Sequence, residues 1–283
     1  MSEDRQIKPH SRQTGSVLGL AHSLYRHRQL IYTLARKDIL GRYKGALMGI
    51  SWTLITPIFT LIIYTFIFSE IFKIRWHESA GSSSKLEFAL IIFAGMIVFT
   101  FFSEIINRST TIISSNVNYV KKVIFPLEIL PAVLLLEAGF YAFISLVTLL
   151  LLIFITNVGT VNNIYFVPII FAPFAFLCLG LSFFLASISV YMRDINQAIG
   201  SITTILMFLS PIFFPLSAVP EAFQHLIKLN PLTYVIENIR DILFFDFTLD
   251  MPEFLTYCLF SLLVLIFGYY FFQKTRDGFS DVL

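Results

Sequence analysis

The sequence is short of charge. Asp, Glu, Lys and Arg make up 13% of its 283 residues, where soluble globular chains carry roughly 25%. Apolar residues reach 57%. That balance excludes an ordinary soluble globule and points to one polytopic membrane domain. Cysteine is scarce as well. Cys178 and Cys258 both fall inside apolar runs, where soft core packing suits them better than a structural disulfide. The five histidines (His10, His22, His27, His77 and His225) are scattered through polar segments, so no metal site is expected. The chain has no G-x-x-x-x-G-K-[ST], H-E-x-x-H, C-x-x-C or G-x-S-x-G. It cannot itself be a P-loop ATPase, and it shows no hydrolase signature. Charges within the apolar runs are too few for a proton relay, and no paired halves of the inverted-repeat kind are visible. The N-terminal MSEDRQIKPHSRQ has no apolar core, so no cleavable signal peptide is expected.

What is present is a basic segment running into a long apolar one. Residues 1–23 are polar and read as a flexible arm. Residues 24–45 are helix-like: Ile31, Leu34, Ala35 and Ile39 project to one side, and Gln29, Thr33, Arg36, Lys37 and Lys44 to the other. Asp38 and Arg42 stand one turn apart, acid first, the favourable order for a helix pair. This pattern predicts an amphipathic helix along the membrane interface, which either holds anionic lipid head groups or docks a soluble subunit. Residues 46–272 then supply six apolar runs, at about 46–69, 87–106, 127–155, 164–190, 198–214 and 254–272. Each approaches the 20 or so residues that a spanning helix needs. No charge occurs between Ala138 and Met192, a stretch that suits two spans broken at TNVGTVNN. Pro57 should kink the first span. Two short helices are expected between spans five and six. The second opens at Asn230-Pro231, a good cap followed by a good first residue, and turns Val235, Ile239, Ile242 and Leu243 inward. Neither can span, so both read as re-entrant or interfacial elements. Residues 273–283 form a short polar tail.

The fold class is therefore all-α, with six transmembrane helices, an N-terminal interface helix and two short helices before the last span. Six spans put both ends on one side. Fifteen lysines and arginines fall on that side against five on the other, so both termini are expected in the cytoplasm. Glu137 lies inside the third span. A carboxylate there is a functional candidate, a partner for a neighbouring helix, or protonated. Aromatic residues make up 16% of the chain. Most suit lipid contact, but rings facing a conduit would suit the C–H faces of sugars, and Trp52, Phe59, Tyr64 and Phe208 are the candidates.

The ordered set of LARKDI (34–39), RYKGA (42–46), GISW (49–52) with Pro57, KKVIFPLEILP (121–131), Arg193-Asp194, PIFF (211–214) with Pro220, LNPLT (229–233) with Arg240, and the ending GFSDVL resembles the membrane subunit of ABC-2 type exporters. The likeness is to the branch that moves bacterial polysaccharides: O-antigen, capsule and teichoic acid, with O-antigen permeases the nearest in overall pattern. The resemblance implies a non-catalytic permease in the bacterial inner membrane, working as a homodimer with two copies of a separate P-loop ATPase. That partner would bind ATP and magnesium, so the chain itself needs no cofactor. The cargo implied is a glycan on a polyprenyl diphosphate lipid; membrane lipids are further partners, and nucleic acid is not. The resemblance places an ATPase-coupling helix at about Ser114 to Phe125, including Asn116, Tyr119, Lys121 and Lys122. It makes the first and fifth spans the conduit walls, Pro57 among them. An outer gate is implied at the short helices that follow, with Phe213, Phe214, Asn230, Pro231 and Arg240. Arg36, Lys37, Arg42 and Lys44 would meet the anionic diphosphate at the cytoplasmic entrance. Two other readings are an ABC-2 exporter of a drug or small lipid, and an intramembrane polyprenyl-phosphate sugar transferase. The second wants carboxylates at metal spacing, which the acids Glu221, Glu237, Asp241, Asp246, Asp250 and Glu253 do not show.

Overall fold

The computed structural model describes residues 17–67, 85–121, 125–160, 162–245 and 247–283, and among them every regular element is a helix. Two helices, α1 (Val17–Arg26) and α2 (Arg28–Arg42), open the chain, with a break at His27 inside the predicted interface helix. Helix is already present at residue 17, ahead of the expected start at 24. The chain then turns through residues 43–48 into α3 (Trp52–Phe66), followed by α4 (Lys85–Ser109), the one-turn α5 (Val117–Val120), α6 (Ile129–Thr156) and α7 (Phe166–Tyr191). Next come α8 (Ile195–Leu209), α9 (Glu221–Lys228), α10 (Pro231–Phe244), α11 (Met251–Thr275) and α12 (Phe279–Val282). The arm before residue 17 and most of the expected loop at 70–86 lie outside the described residues.

Among the described residues, five segments are long and apolar enough to cross a membrane: Gly49–Phe66, Leu86–Ser109, Ile129–Thr156, Phe166–Tyr191 and Met251–Val282. The fifth expected span is shorter than its apolar run suggested. α8 has 15 residues and ends at Leu209 rather than 214. The reason is local: Pro211 has no N–H to donate, and it pushes Ser210 into extended backbone at ψ 146°. Pro57 lies inside α3, which runs through it to Phe66.

Helices α4 and α7 are the buried centre. α4 packs on α3, α6, α7, α8 and α10, and α7 makes its most extensive contact with α11. That contact depends on two glycines. A Cβ on Gly268 would lie 2.0 Å from the Gly180 carbonyl oxygen, so only hydrogen at both positions lets the two backbones touch. α10 is capped as its sequence predicts: Asn230 Oδ1 accepts from the Leu232 N–H at 3.0 Å, with Pro231 in the first turn. Its buried side holds Val235, Ile239, Ile242 and Leu243 against α4 and α7. Cys178 and Cys258 are free thiols, and Cys178 is buried in the core. By contrast, α3 leaves Leu54, Ile58, Phe59, Ile62 and Phe66 uncovered, and α8 does the same with Ile202, Ile205 and Phe208.

Candidate functional site

Four charged side chains join α2, α4 and α6 at one end of the bundle. Arg42, the last residue of α2, pairs with Glu104 of α4 and lies 4.7 Å over the ring of Tyr141 on α6. Arg108, one turn beyond Glu104, reaches its carboxylate at 3.2 Å and Glu137 of α6 at 2.5 Å. Glu137 is 2% exposed, and this contact supplies its counter-charge. The order Arg42–Glu104–Arg108–Glu137 alternates in sign, so each charge is neutralised by its neighbour. α3 begins beside this chain. Its Thr53, Pro57 and Thr60 recur on one face and turn toward α4 and α6.

Between these three helices lies a pocket of about 280 Å³. Arg42, Glu104, Tyr43 and Tyr141 stand at its charged end; Phe93, Ile97 and Ala138 form its apolar lining; Trp52, Thr53, Thr56, Thr60, Thr100 and Ser145 add one indole and five hydroxyls. Thr53 donates to the Ile50 carbonyl at 2.7 Å and Thr60 to the Thr56 carbonyl at 2.9 Å. Their hydroxyl hydrogens are thus committed to their own helix, and toward the pocket these oxygens can only accept.

At the opposite end of α4, a second arrangement holds the turn after α8. Arg240 of α10, 1% exposed, donates from Nε to the Ile91 carbonyl at 3.1 Å and from its two terminal nitrogens to the carbonyls of Pro211 and Ile212. Glu237 gives it a carboxylate at 3.3 Å. A Cβ on Gly95 would stand 2.8 Å from the Arg240 guanidinium, so glycine makes room for it in α4. Asn230 adds a further tie, donating to Ser210 Oγ at 2.8 Å. Phe213 in the same turn faces Tyr64 of α3 at 6.3 Å and Phe208 of α8 at 6.4 Å between ring centroids.

Helix α1 and the segment after α11 meet at Glu128, just before α6. Glu128, buried at 2% exposure, accepts from Ser23 Oγ of α1 at 3.0 Å and from Arg276 at 3.3 Å. Phe279 is fully buried against the rings of Phe272 and Tyr191, in a cluster that also takes in Leu20, Ile113 and Val120. Among the described residues, no three His, Cys, Asp or Glu side chains come together as a metal site.

Residues 29–244 match the ABC-2 type transporter family. The chain belongs to that family. Among the relatives, the O-antigen export system permease protein of Myxococcus xanthus is 22% identical over 94% of this chain and 99% of its own length. An O-antigen export permease of Klebsiella pneumoniae is 22% identical over 90% of this chain and 95% of its own. The polysialic acid transport protein of Escherichia coli is 23% identical over 88% and 94%.

The residues singled out in the sequence of this ABC-2 chain are distributed as follows. Arg36, Lys37 and Lys44 are exposed, whereas Arg42 is engaged by Glu104 and Tyr141. Trp52 and Pro57 line the pocket, Phe59 faces outward, and Tyr64 and Phe208 both reach Phe213. Asn230, Pro231 and Arg240 cluster about the turn that holds Phe213 and Phe214, but the first and third act there as ties. Among the described residues of the coupling segment, a 3-10 turn at Ser114–Asn116 and the single-turn α5 are helical. Asn116 bonds the Ile112 carbonyl at 2.8 Å, Tyr119 stacks on Phe125 at 4.4 Å, and Lys121 is exposed. Lys122 lies outside the described residues. Sequence reasoning did not single out Arg108, Glu104, Glu128, Arg276, Tyr141 or Gly95 as site residues. Only the pair Glu104 and Arg108 left a signal, acid four residues before base at a helix end.

Proposed function

We propose that this chain is the membrane subunit of an ATP-driven exporter that carries a polyprenyl-diphosphate-linked polysaccharide, of the O-antigen kind, across the bacterial inner membrane. One observation carries the reading: likeness to O-antigen export permeases extends over nearly the full length of both chains. The order of basic helix, pocket and clamped turn along α4 fits it. On this reading α8 is the fifth of six spans and α11 the sixth. Its 15 residues rise about 22 Å, and the turn pinned by Arg240 completes the crossing. Both termini face the cytoplasm, with fifteen of twenty lysines and arginines on that side. Residues 24–45 lie on the inner interface, residues 46–272 form the transmembrane domain, and residues 273–283 return to the cytoplasm.

Two copies pair through the uncovered faces of α3 and α8, which make the conduit between them, with Phe59, Tyr64 and Phe208 along it. Helices α9 and α10 close its outer end. A separate P-loop ATPase subunit docks at residues 114–125, where Lys121 is accessible and Tyr119 and Phe125 are anchored beneath. Arg36, Lys37 and Lys44 receive the lipid diphosphate. The test is genetic: deletion of the chain in its own host should strip the polysaccharide from the cell surface while lipid-linked glycan accumulates inside, and a plasmid copy should restore it. An unchanged surface polysaccharide would overturn the reading.

A further inference from the structure

The pocket between α3, α4 and α6 lies on the covered side of α3, away from the uncovered face that carries Phe59. Thr53, Pro57 and Thr60 turn into it, whereas Leu54, Ile58 and Phe59 leave the helix on other sides. It extends from Thr53 to Thr60, about 10 Å along the α3 axis. It is apolar against Phe93, Ile97 and Phe101 and charged where Arg42 and Glu104 meet. A hydrocarbon chain suits the first part and a head group the second.

The charged end says which head group. Arg42 is a donor only. Beside it stand two acceptors, the Glu104 carboxylate and the Thr53 oxygen, whose hydrogen already goes to its own helix. Arg108 and Glu137 continue the alternation, with Asp38 of α2 beside Glu137, so the mouth is strongly divided in sign. An anionic head group would answer the arginine and repel the carboxylate. A zwitterion whose phosphate meets Arg42 and whose primary ammonium meets Glu104 answers both. The N–H donors of that ammonium can hydrogen-bond the Glu104 carboxylate, which a quaternary ammonium with no N–H cannot do.

We infer that this pocket is a structural lipid site, selective for a phosphoethanolamine head group. The lipid would sit inside each protomer at the foot of α3, wedged between the interface helix and the first span.

Trp52 lines the pocket, and the only other tryptophan in the chain is Trp76. The full-length chain with Trp76→Phe, in vesicles of phosphatidylcholine, therefore has one reporter. Brominated phosphatidylethanolamine and brominated phosphatidylglycerol, added at equal mole fraction, quench it on contact. The expected result is a preference for the ethanolamine lipid of about fivefold, equivalent to about 1 kcal/mol, the net strength of one good hydrogen bond. Glu104→Gln should remove the preference. Ser145→Phe, which fills the pocket and leaves the ion pairs in place, should reduce quenching to that of the surrounding bilayer. Equal quenching by the two lipids in the otherwise unmodified chain, or a preference for the glycerol lipid, would overturn the assignment without touching the exporter reading.

Discussion

Arg240 is a buried cation, and it shows why type matters beyond charge. Its planar guanidinium satisfies three backbone carbonyls, those of Ile91, Pro211 and Ile212, from fixed directions. Lysine concentrates its donors at a single atom and cannot span them. Arg240→Lys should therefore lower the unfolding midpoint in detergent, and Arg240→Ala should lower it further, by the equivalent of about 3–5 kcal/mol for a broken buried charge contact. Gly95→Ala should reproduce a milder form, about 1–3 kcal/mol, since its Cβ would press on the same guanidinium at 2.8 Å. Wild-type stability in both Arg240→Lys and Gly95→Ala would contradict the clamp. At this scale the sequence was unevenly legible. Asn230 announced itself, because a cap and its proline are neighbours in the chain. Arg108–Glu137 and Arg276–Glu128 join residues 29 and 148 positions apart, and no local pattern signals such pairs.

Among elements, the crossing of α7 and α11 rests on what is missing from two side chains. Gly180 and Gly268 bring backbone onto backbone, the kind of approach that lets helices associate where burial from water offers no driving force. Gly268→Leu should separate the pair and with it the Phe183–Tyr269 and Phe183–Phe272 contacts, both 5.3 Å between centroids. The expected readout is a lower unfolding midpoint and faster proteolysis at the C-terminus; an unchanged midpoint would mean the helices have slack. Apolar runs located α4, α6, α7 and α11 to within a few residues, because long uncharged stretches admit few alternatives. They overextended α8, where hydropathy continues through Pro211 but the backbone cannot. They also hid the docking of the tail. GFSDVL reads as polar, yet its one phenylalanine, Phe279, is fully buried.

For the whole molecule, the absence of a phosphate loop and membership of a transporter family set the decisive question. On the exporter reading proposed above, a separate ATPase drives the chain, and lipid or a second copy meets its uncovered α3 and α8 faces. The family was legible because its motifs are spread in order along the chain. The charged chain beneath the interface helix was not, since it exists only once three helices have met. The most direct measurement is purification of the chain from its own host in gentle detergent, after crosslinking, with mass spectrometry of whatever accompanies it. The account predicts a P-loop ATPase in equal amount, and its loss when Lys121 and Lys122 are both changed to Glu. A stable chain recovered without any ATPase would contradict the central claim.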